Sequence, residues 1–179
     1  MSRKIALVIL AAGASRRMDQ AKQLLPWGSN SLINHVIQET LKVPYEGCFV
    51  VLGANSELIK AQLNSGIQVI DNPNWKTGMG SSISKATTLL KNEFDAIQFV
   101  VVDQPQVDGM FLRFMSHAYL HQGRSLVATK YSDSIGIPAL FDQKYFTELE
   151  KLTDTGAKQI LEHHQAEVTF IRPWDTSNR

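Results

Sequence analysis

The chain of 179 residues has a single cysteine, Cys48, which excludes an intrachain disulfide and a cysteine metal cluster. Charge of one sign is also missing. Eighteen Lys and Arg stand against 17 Asp and Glu, a formal net charge of +1, which excludes a general attraction for nucleic acid or anionic lipid. Any anion must therefore be held locally. No apolar run approaches the roughly 20 residues of a membrane span. The start, "MSRKIALVILAAG", has a basic tip and an apolar run, but the run is short and passes into charged residues, so it reads as a first buried strand rather than a signal peptide. We expect a cytoplasmic protein with no nucleic-acid or membrane partner. Glycine is sparse where nucleotide motifs need it: after Gly13 the next is Gly28, which excludes G-x-G-x-x-G. A P-loop is excluded too, because no glycine directly precedes Lys22 and no Ser or Thr follows it.

What is present is a rhythm. Apolar runs rich in β-branched residues, "KIALVIL" (4–10), "GCFVVLG" (47–53), "IQVID" (67–71), "AIQFVVVD" (96–103) and "SLVAT" (125–129), predict buried parallel strands. Cys48 is expected as a buried strand thiol. Helical spacing intervenes. Residues 31–42 put Leu32, Val36, Ile37 and Leu41 on one face, and residues 80–91 do so with Ile83, Ala86, Leu89 and Leu90. Asp108 can cap a helix over 108–121 carrying Phe111, Leu112, Met115 and Tyr119. The alternation predicts an α/β fold with a mostly parallel sheet covered on both faces. Later come a strand "IGIPALF" (135–141), helices near 142–151 and 155–164, and "AEVTFIR" (166–172). Pro138 predicts an edge or a distorted position for its strand.

In open sheets of this kind ligands sit beyond the carboxyl ends of the strands, which directs attention to "AAGASRRMDQAKQLL" (11–25) and "DQPQVDG" (103–109). The first is a small-residue turn, Ala11 to Ser15, followed by Arg16, Arg17 and Lys22. Its backbone can approach a ligand closely, and backbone donors with fixed cations suit a triphosphate. A surface loop with solvated charges is the competing reading. Asp103 closes the most apolar strand, where a carboxylate is costly to bury without a counterion, and Mg²⁺ is the natural one. "GMGSSI" (78–83) places two glycines and two hydroxyls at a helix start, where free N–H groups and the helix dipole favour an anion or a polar base edge. Ser81 or Ser82 can equally be a helix cap. His163 and His164 are adjacent and diverge on a helix, so they make no metal pair; His35, His117 and His121 are the others. Trp27, Trp75 and Trp174 are read as packing residues.

The order of Leu10, Ala11, Ala12, Gly13, Ser15, Arg17, Met18, Lys22, Leu24, Leu25 and Pro26 resembles the first loop of the MobA-like nucleoside-triphosphate transferases. "NPNWKTGMGSSI" (72–83), "VVDQP" (101–105), "GIPALF" (136–141), "DTGAKQIL" (154–161) and "DT" (175–176) are similar to further motifs of that superfamily, so that the resemblance spans nearly the whole chain. It implies one domain over 1–179, with a Rossmann-like three-layer α/β/α sandwich. Ala-Ala-Gly together with Gly-Met-Gly-Ser-Ser and Asp-Gln-Pro looks most like the molybdenum cofactor cytidylyltransferases.

The resemblance implies Mg²⁺-dependent transfer of CMP from CTP to the phosphate of molybdopterin cofactor. A molybdoenzyme or its chaperone would be the recipient. It makes Lys22 and Arg17 the catalytic triphosphate ligands and assigns nucleotide binding to Leu10, Ala11, Ala12, Gly13, Ser15, Gly80 and Ser82. Asp103 and Asp175 become metal ligands, and Gly136, Pro138 and Lys158 the acceptor side. Departures fall on the acceptor side: Ile137 stands where the family often has His, and Thr153 and Lys158 where it often has Gly and Arg. After Asp175 and Thr176 the chain reads Ser177-Asn178-Arg179 instead of Pro-Glu-Asp. Ala12, where guanylyl-transferring relatives typically carry glycine, narrows the base pocket toward a pyrimidine. Alternatives are a GTP-using molybdopterin guanylyltransferase, another transferase of the same fold with a sugar-phosphate or isoprenoid-precursor acceptor, a cofactor-binding or delivery protein, or a redox-active relative.

Overall fold

The computed structural model describes residues 2–15, 20–64 and 66–173. Its seven-stranded sheet has the order β5-β4-β1-β6-β8-β7-β9. These strands are β1 (Ile5–Leu10), β4 (Gly47–Leu52), β5 (Gln68–Asp71), β6 (Ala96–Val101), β7 (Leu126–Lys130), β8 (Ile135–Asp142) and β9 (Thr169–Ile171). A two-stranded hairpin, β2 (Pro26–Trp27) and β3 (Asn30–Ser31), stands apart. Within the seven-stranded sheet all pairings are parallel except those of β8, which runs antiparallel to β6 and β7. The mostly parallel α/β sheet read from the sequence is the sheet found.

β1 lies inside the sheet between β4 and β6, and all six of its residues are buried. Alternation divides them between the two faces. Ala6, Val8 and Leu10 join a cluster with Ile83, Ala86 and Leu90 of α3 (Met79–Leu90) and residues of α5 (Phe146–Leu149) and α6 (Lys158–His163). Leu7 and Ile9 join Leu32, Ile33, Val36 and Ile37 of α1 (Leu32–Leu41), Ile59 of α2 (Ser56–Lys60) and Leu112 of α4 (Gly109–Gln122). Each such aliphatic side chain contributes roughly 1.5–3 kcal/mol on burial. The sheet is thus held from both sides, and its carboxyl edge is left for the loops.

Asp108 caps α4 by accepting a hydrogen bond from the Phe111 N–H, as its spacing predicts. Two leucines expected on buried faces are not there. Leu41 is 44% and Leu89 50% exposed. At about 100° per residue Leu41 lies about 180° from Leu32, and Leu89 falls outside the stripe of Ile83, Ala86 and Leu90. The late helices are also shorter than expected, because residues 153–157 form turns before α6 begins at Lys158. Cys48 is only partly buried, yet burial pushes its thiol up to about 11.

β8 is not an edge strand. It lies between β6 and β7, and Pro138 is accommodated by distortion, the second of the two expected outcomes. Ala139 pairs with Ala128 but Gly136 pairs with Thr129, so Ile137 and Pro138 bulge away from β7 across a cis peptide bond. On the other side β6 pairs only with Ala139–Asp142, and no ladder bond needs the missing proline N–H. Thr129 closes the bulge by donating its hydroxyl to the Pro138 carbonyl at 2.7 Å. Among the described residues no helix is long and apolar enough to cross a membrane.

Candidate functional site

The chain leaves β1 at Leu10 and stays attached to the sheet for two more residues. The Ala11 N–H donates to the Val51 carbonyl, and the Ala12 carbonyl accepts from the Ala54 N–H, both at 3.0 Å. Gln23 then fixes the loop from below. Its side-chain N–H₂ donates to the Ala11 carbonyl at 2.8 Å and the Gly13 carbonyl at 3.0 Å, and the residue is only 2% exposed. Both carbonyls are thereby neutralised inside the protein. Two carbonyl partners also fix the amide's orientation, which leaves Gln23 Oε1 buried without a hydrogen-bond partner among the described residues. A bridging water or ligand donor is what such an oxygen requires.

Ser15 adopts a left-handed conformation, φ 53°, unusual for a residue with a side chain. Its hydroxyl accepts from the Lys22 N–H at 3.1 Å, and Lys22 opens a short 3₁₀ turn, Lys22–Leu24. Lys22 Nζ meets Asp103 Oδ2 at 3.1 Å, across 81 residues of sequence. Asp103 is not the buried strand-end charge expected: β6 stops at Val101, and the carboxylate is 49% exposed. Its partner is Lys22 rather than the apolar core.

Two clefts adjoin here. One, about 250 Å³, is lined by Leu10, Ala11, Gly13, Ser15, Lys22, Gln23, Met79, Val101, Val102 and Asp103. The other, about 340 Å³, is lined by Leu10, Ala12, Gly13, Ala14, Trp75, Lys76, Gly78, Met79 and Ser82. Leu10, Gly13 and Met79 belong to both, so a ligand of two unlike parts can lie across them. A methyl group on Gly13 would meet nothing within 4 Å, so the protein's own packing does not demand glycine there.

The glycines of "GMGSSI" differ in this respect. A Cβ on Gly78 would come 2.1 Å from the Asp154 carbonyl, and one on Gly80 2.2 Å from the Thr155 carbonyl. Their smallness is accounted for by the close approach of residues 153–155. Gly80 does not line either cleft, whereas Ser82 lines the larger one. Neither serine is a helix cap. The residue at that position is Gly78, and the two hydroxyls lie within the first turns of α3, both accepting from the Asn72 side-chain amide, at 2.9 Å for Ser81 and 3.0 Å for Ser82.

The acceptor-side residues are not gathered with the rest. Gly136, Pro138 and Lys158 are absent from the lining of both clefts. Lys158 is an exposed residue of α6 paired with Glu162 at 3.7 Å. Arg17 and Asp175 lie outside the described residues. No group of three or more His, Cys, Asp or Glu residues able to hold a metal occurs among the described residues. Sequence reasoning overlooked Gln23, Asn72, and a relay in which Gln104 Nε2 donates to the Tyr131 hydroxyl at 2.8 Å and that hydroxyl donates to the Ile137 carbonyl at 2.7 Å. Isolated amides carry no pattern that marks them. Trp75, read as a packing residue, does pack against Gly53, but it also lines the larger cleft.

The family model for the MobA-like NTP transferase domain matches residues 7–168. Among curated proteins, the chain is 34% identical over 102 residues to nicotine blue oxidoreductase of Paenarthrobacter nicotinovorans, covering 55% of this chain and 48% of that one. It is 31% identical over 87 residues to molybdenum cofactor cytidylyltransferase of Escherichia coli K12, covering 48% and 45%. These matches span less than half of either relative. Among solved structures, Rv0371c of Mycobacterium tuberculosis H37Rv superposes with a TM-score of 0.81 at 22% identity over 96% of this chain and 89% of that one. Another structure of that protein is a complex with manganese, with a TM-score of 0.76 at 22% identity over 94% and 88%.

Proposed function

The chain belongs to the MobA-like NTP transferase domain family, and on that premise we propose that residues 1–179 act as one nucleotidyltransferase domain moving CMP from CTP to the phosphate of molybdopterin cofactor, with release of pyrophosphate. The observation that carries this reading is the meeting of Lys22 and Asp103 at 3.1 Å in a cleft floored by the Gly13 loop. The likeness to molybdenum cofactor cytidylyltransferase supports the choice of nucleotide and acceptor.

The reaction is an in-line substitution at the α-phosphorus. A phosphate monoester acceptor, with a second pKa of about 6, is largely dianionic at neutral pH and needs no general base. The chain's own work is positioning and charge stabilisation. The Gly13 loop, its Ala11 and Gly13 carbonyls engaged by Gln23, would turn a neutralised backbone to the triphosphate. Lys22 would leave Asp103 to contact the phosphates as a point charge, and Arg17 would add a planar fork of donors. The larger cleft, with Ala12, Trp75 and Ser82, would receive base and ribose.

Asp103 fits a divalent metal of the hard kind. It is a half-exposed carboxylate facing a cleft, and Mg²⁺ is commonly held by one or two carboxylates together with substrate phosphates rather than by an all-protein cage. The manganese complex of the M. tuberculosis protein supports a divalent ion. Asp103 and Asp175 would hold the ion, which when bound would supply positive charge to offset that of the phosphates. Gly136, Pro138 and Lys158 are proposed for the acceptor, and a molybdoenzyme or its chaperone would take up the product.

A second reading is redox chemistry, favoured by the match to nicotine blue oxidoreductase. Pyrophosphate release, measured with Mg²⁺ and each of the four nucleoside triphosphates with and without molybdopterin cofactor, separates the two. Release with CTP only when cofactor is present supports transfer; no release with any triphosphate overturns it and favours the redox reading.

A further inference from the structure

The exposed face of α4 carries a feature unrelated to the cleft. His117 and His121 are both exposed and stand one helical turn apart, their ring centroids separated by 4.7 Å and their planes inclined at 40°. Residues four apart share a helix face, and two imidazoles so placed are a familiar bidentate arrangement for a transition metal. We propose that His117 and His121 form a binding site for a divalent transition-metal ion, separate from the proposed magnesium position at Asp103.

The spacing indicates which ions fit. A metal–nitrogen bond is about 2.0–2.1 Å, and the ring centre lies about 1.1 Å farther, so two imidazoles at a right angle to one another at the metal have centroids about 4.5 Å apart. A tetrahedral pair would have them about 5.2 Å apart. The observed 4.7 Å lies nearer the right-angle arrangement, which suits the tetragonal coordination of Cu²⁺ and Ni²⁺. With water in the remaining positions, affinity is expected to follow Cu²⁺ over Ni²⁺ and Zn²⁺, while Mg²⁺, which takes oxygen ligands, is ignored.

The local field is permissive. His121 lies in the last turn of α4, where the partial negative charge of the helix carboxyl end favours a cation. Arg113, one turn before His117, directs its guanidinium to the Lys42 carbonyl at 3.0 Å. His164 has neither ring nitrogen to spare, since Nε2 lies 2.8 Å from Glu148 and Nδ1 3.3 Å from Glu167.

The test is isothermal titration of the untagged protein with CuCl₂, NiCl₂, ZnCl₂ and MgCl₂ separately. One equivalent of Cu²⁺ is expected to bind, with Ni²⁺ weaker and no heat from Mg²⁺ at this site. His117→Ala and His121→Ala should each weaken Cu²⁺ binding by about tenfold or more, while circular dichroism stays unchanged because both side chains are exposed. His164→Ala and Asp103→Asn should leave the affinity as it was. In the Cu²⁺-loaded protein, electron paramagnetic resonance should show coupling to two nitrogens. Absence of binding by the unaltered protein, binding that survives in the double His117→Ala/His121→Ala protein, or binding lost in Asp103→Asn would each overturn the proposal. None of these outcomes depends on the transferase reading.

Discussion

Lys22 and Asp103, 81 residues apart in sequence, hold each other at 3.1 Å where the loop after β1 meets the turn after β6. Both side chains are more than 40% exposed, and pairs of that kind contribute only about 0–1 kcal/mol to stability. Their approach therefore adds little to the folding of the chain, and it lies where the proposed transfer would take place.

Replacing Lys22 should accordingly separate activity from stability. Lys22→Ala is expected to melt within about 4 °C of the original protein, while pyrophosphate release falls by about a hundredfold or more, the usual scale for losing a preorganised group that stabilises developing charge. Scanning calorimetry beside the release assay checks both halves.

Two glycines should respond oppositely to the same added methyl group. Gly13→Ala places a Cβ in open space, so its unfolding free energy should shift by no more than about 0.5 kcal/mol, while CTP binding weakens because that space is where the triphosphate is proposed to lie. Gly80→Ala drives its Cβ to 2.2 Å from the Thr155 carbonyl and should destabilise the fold by about 1–3 kcal/mol. Urea titrations together with nucleotide titrations distinguish the pair; equal stability losses would refute the assignment of Gly13.

Gln23→Leu preserves approximate volume and removes both donors to the loop. The Ala11 and Gly13 carbonyls lose their partner, at a cost of about 1–3 kcal/mol for each one that stays buried. A carbonyl that swings out instead would face the triphosphate. Nucleotide affinity should fall in either event, and Gln23→Glu should be worse, since it substitutes an acceptor for the donor.

The pH dependence of stability should carry a signature of Glu167. Lys144 Nζ at 2.8 Å, the Tyr145 hydroxyl at 2.9 Å and the His164 ring at 3.3 Å hold its carboxyl down to about 2, from an ordinary value of 4.5. A carboxyl lowered in the folded state adds stability that is fully present above about 4.5 and lost as pH falls toward about 2. Glu167→Gln should flatten that part of the stability profile in acid denaturation followed by circular dichroism, and should lower stability at neutral pH, where the contribution of the ionised carboxylate is fully present.

Much of the sheet was legible because burial writes itself into sequence as continuous apolar runs: "IALVIL" reads as β1 and is β1. The cleft was legible in part for a different reason, since Gly13, Lys22 and Asp103 follow strand ends, where α/β sheets place their loops. Burial at Asp103 was misjudged because an apolar run does not reveal where its strand stops; two residues beyond Val101 sufficed to bring the carboxylate to solvent. The close approach at Gly80 was illegible because glycine looks the same whether it makes room for a ligand or for a neighbouring backbone segment, and only the structure brings the Thr155 carbonyl beside it. The position of β8 was illegible because strand order depends on contacts distant in sequence, and Pro138 allowed two outcomes. The four-residue spacing of His117 and His121 was present in the sequence, but only the structure places both rings on the exposed face of α4.

The reversal of β8 bears on how such a protein can change over time. Because β7 and β8 run in opposite directions, Lys130 pairs with Ile135 and the turn Tyr131–Ser134 emerges at the same edge of the sheet as the Gly13 loop and Asp103. Residues can be inserted in that turn at small entropic cost, since loop closure depends only weakly on length. Neither the buried ladder of Ala139–Asp142 with β6 nor the Lys22–Asp103 contact need move. The hairpin is thus a place where mutation can reshape the loops at the carboxyl edge of the sheet while the Lys22–Asp103 contact is inherited unchanged.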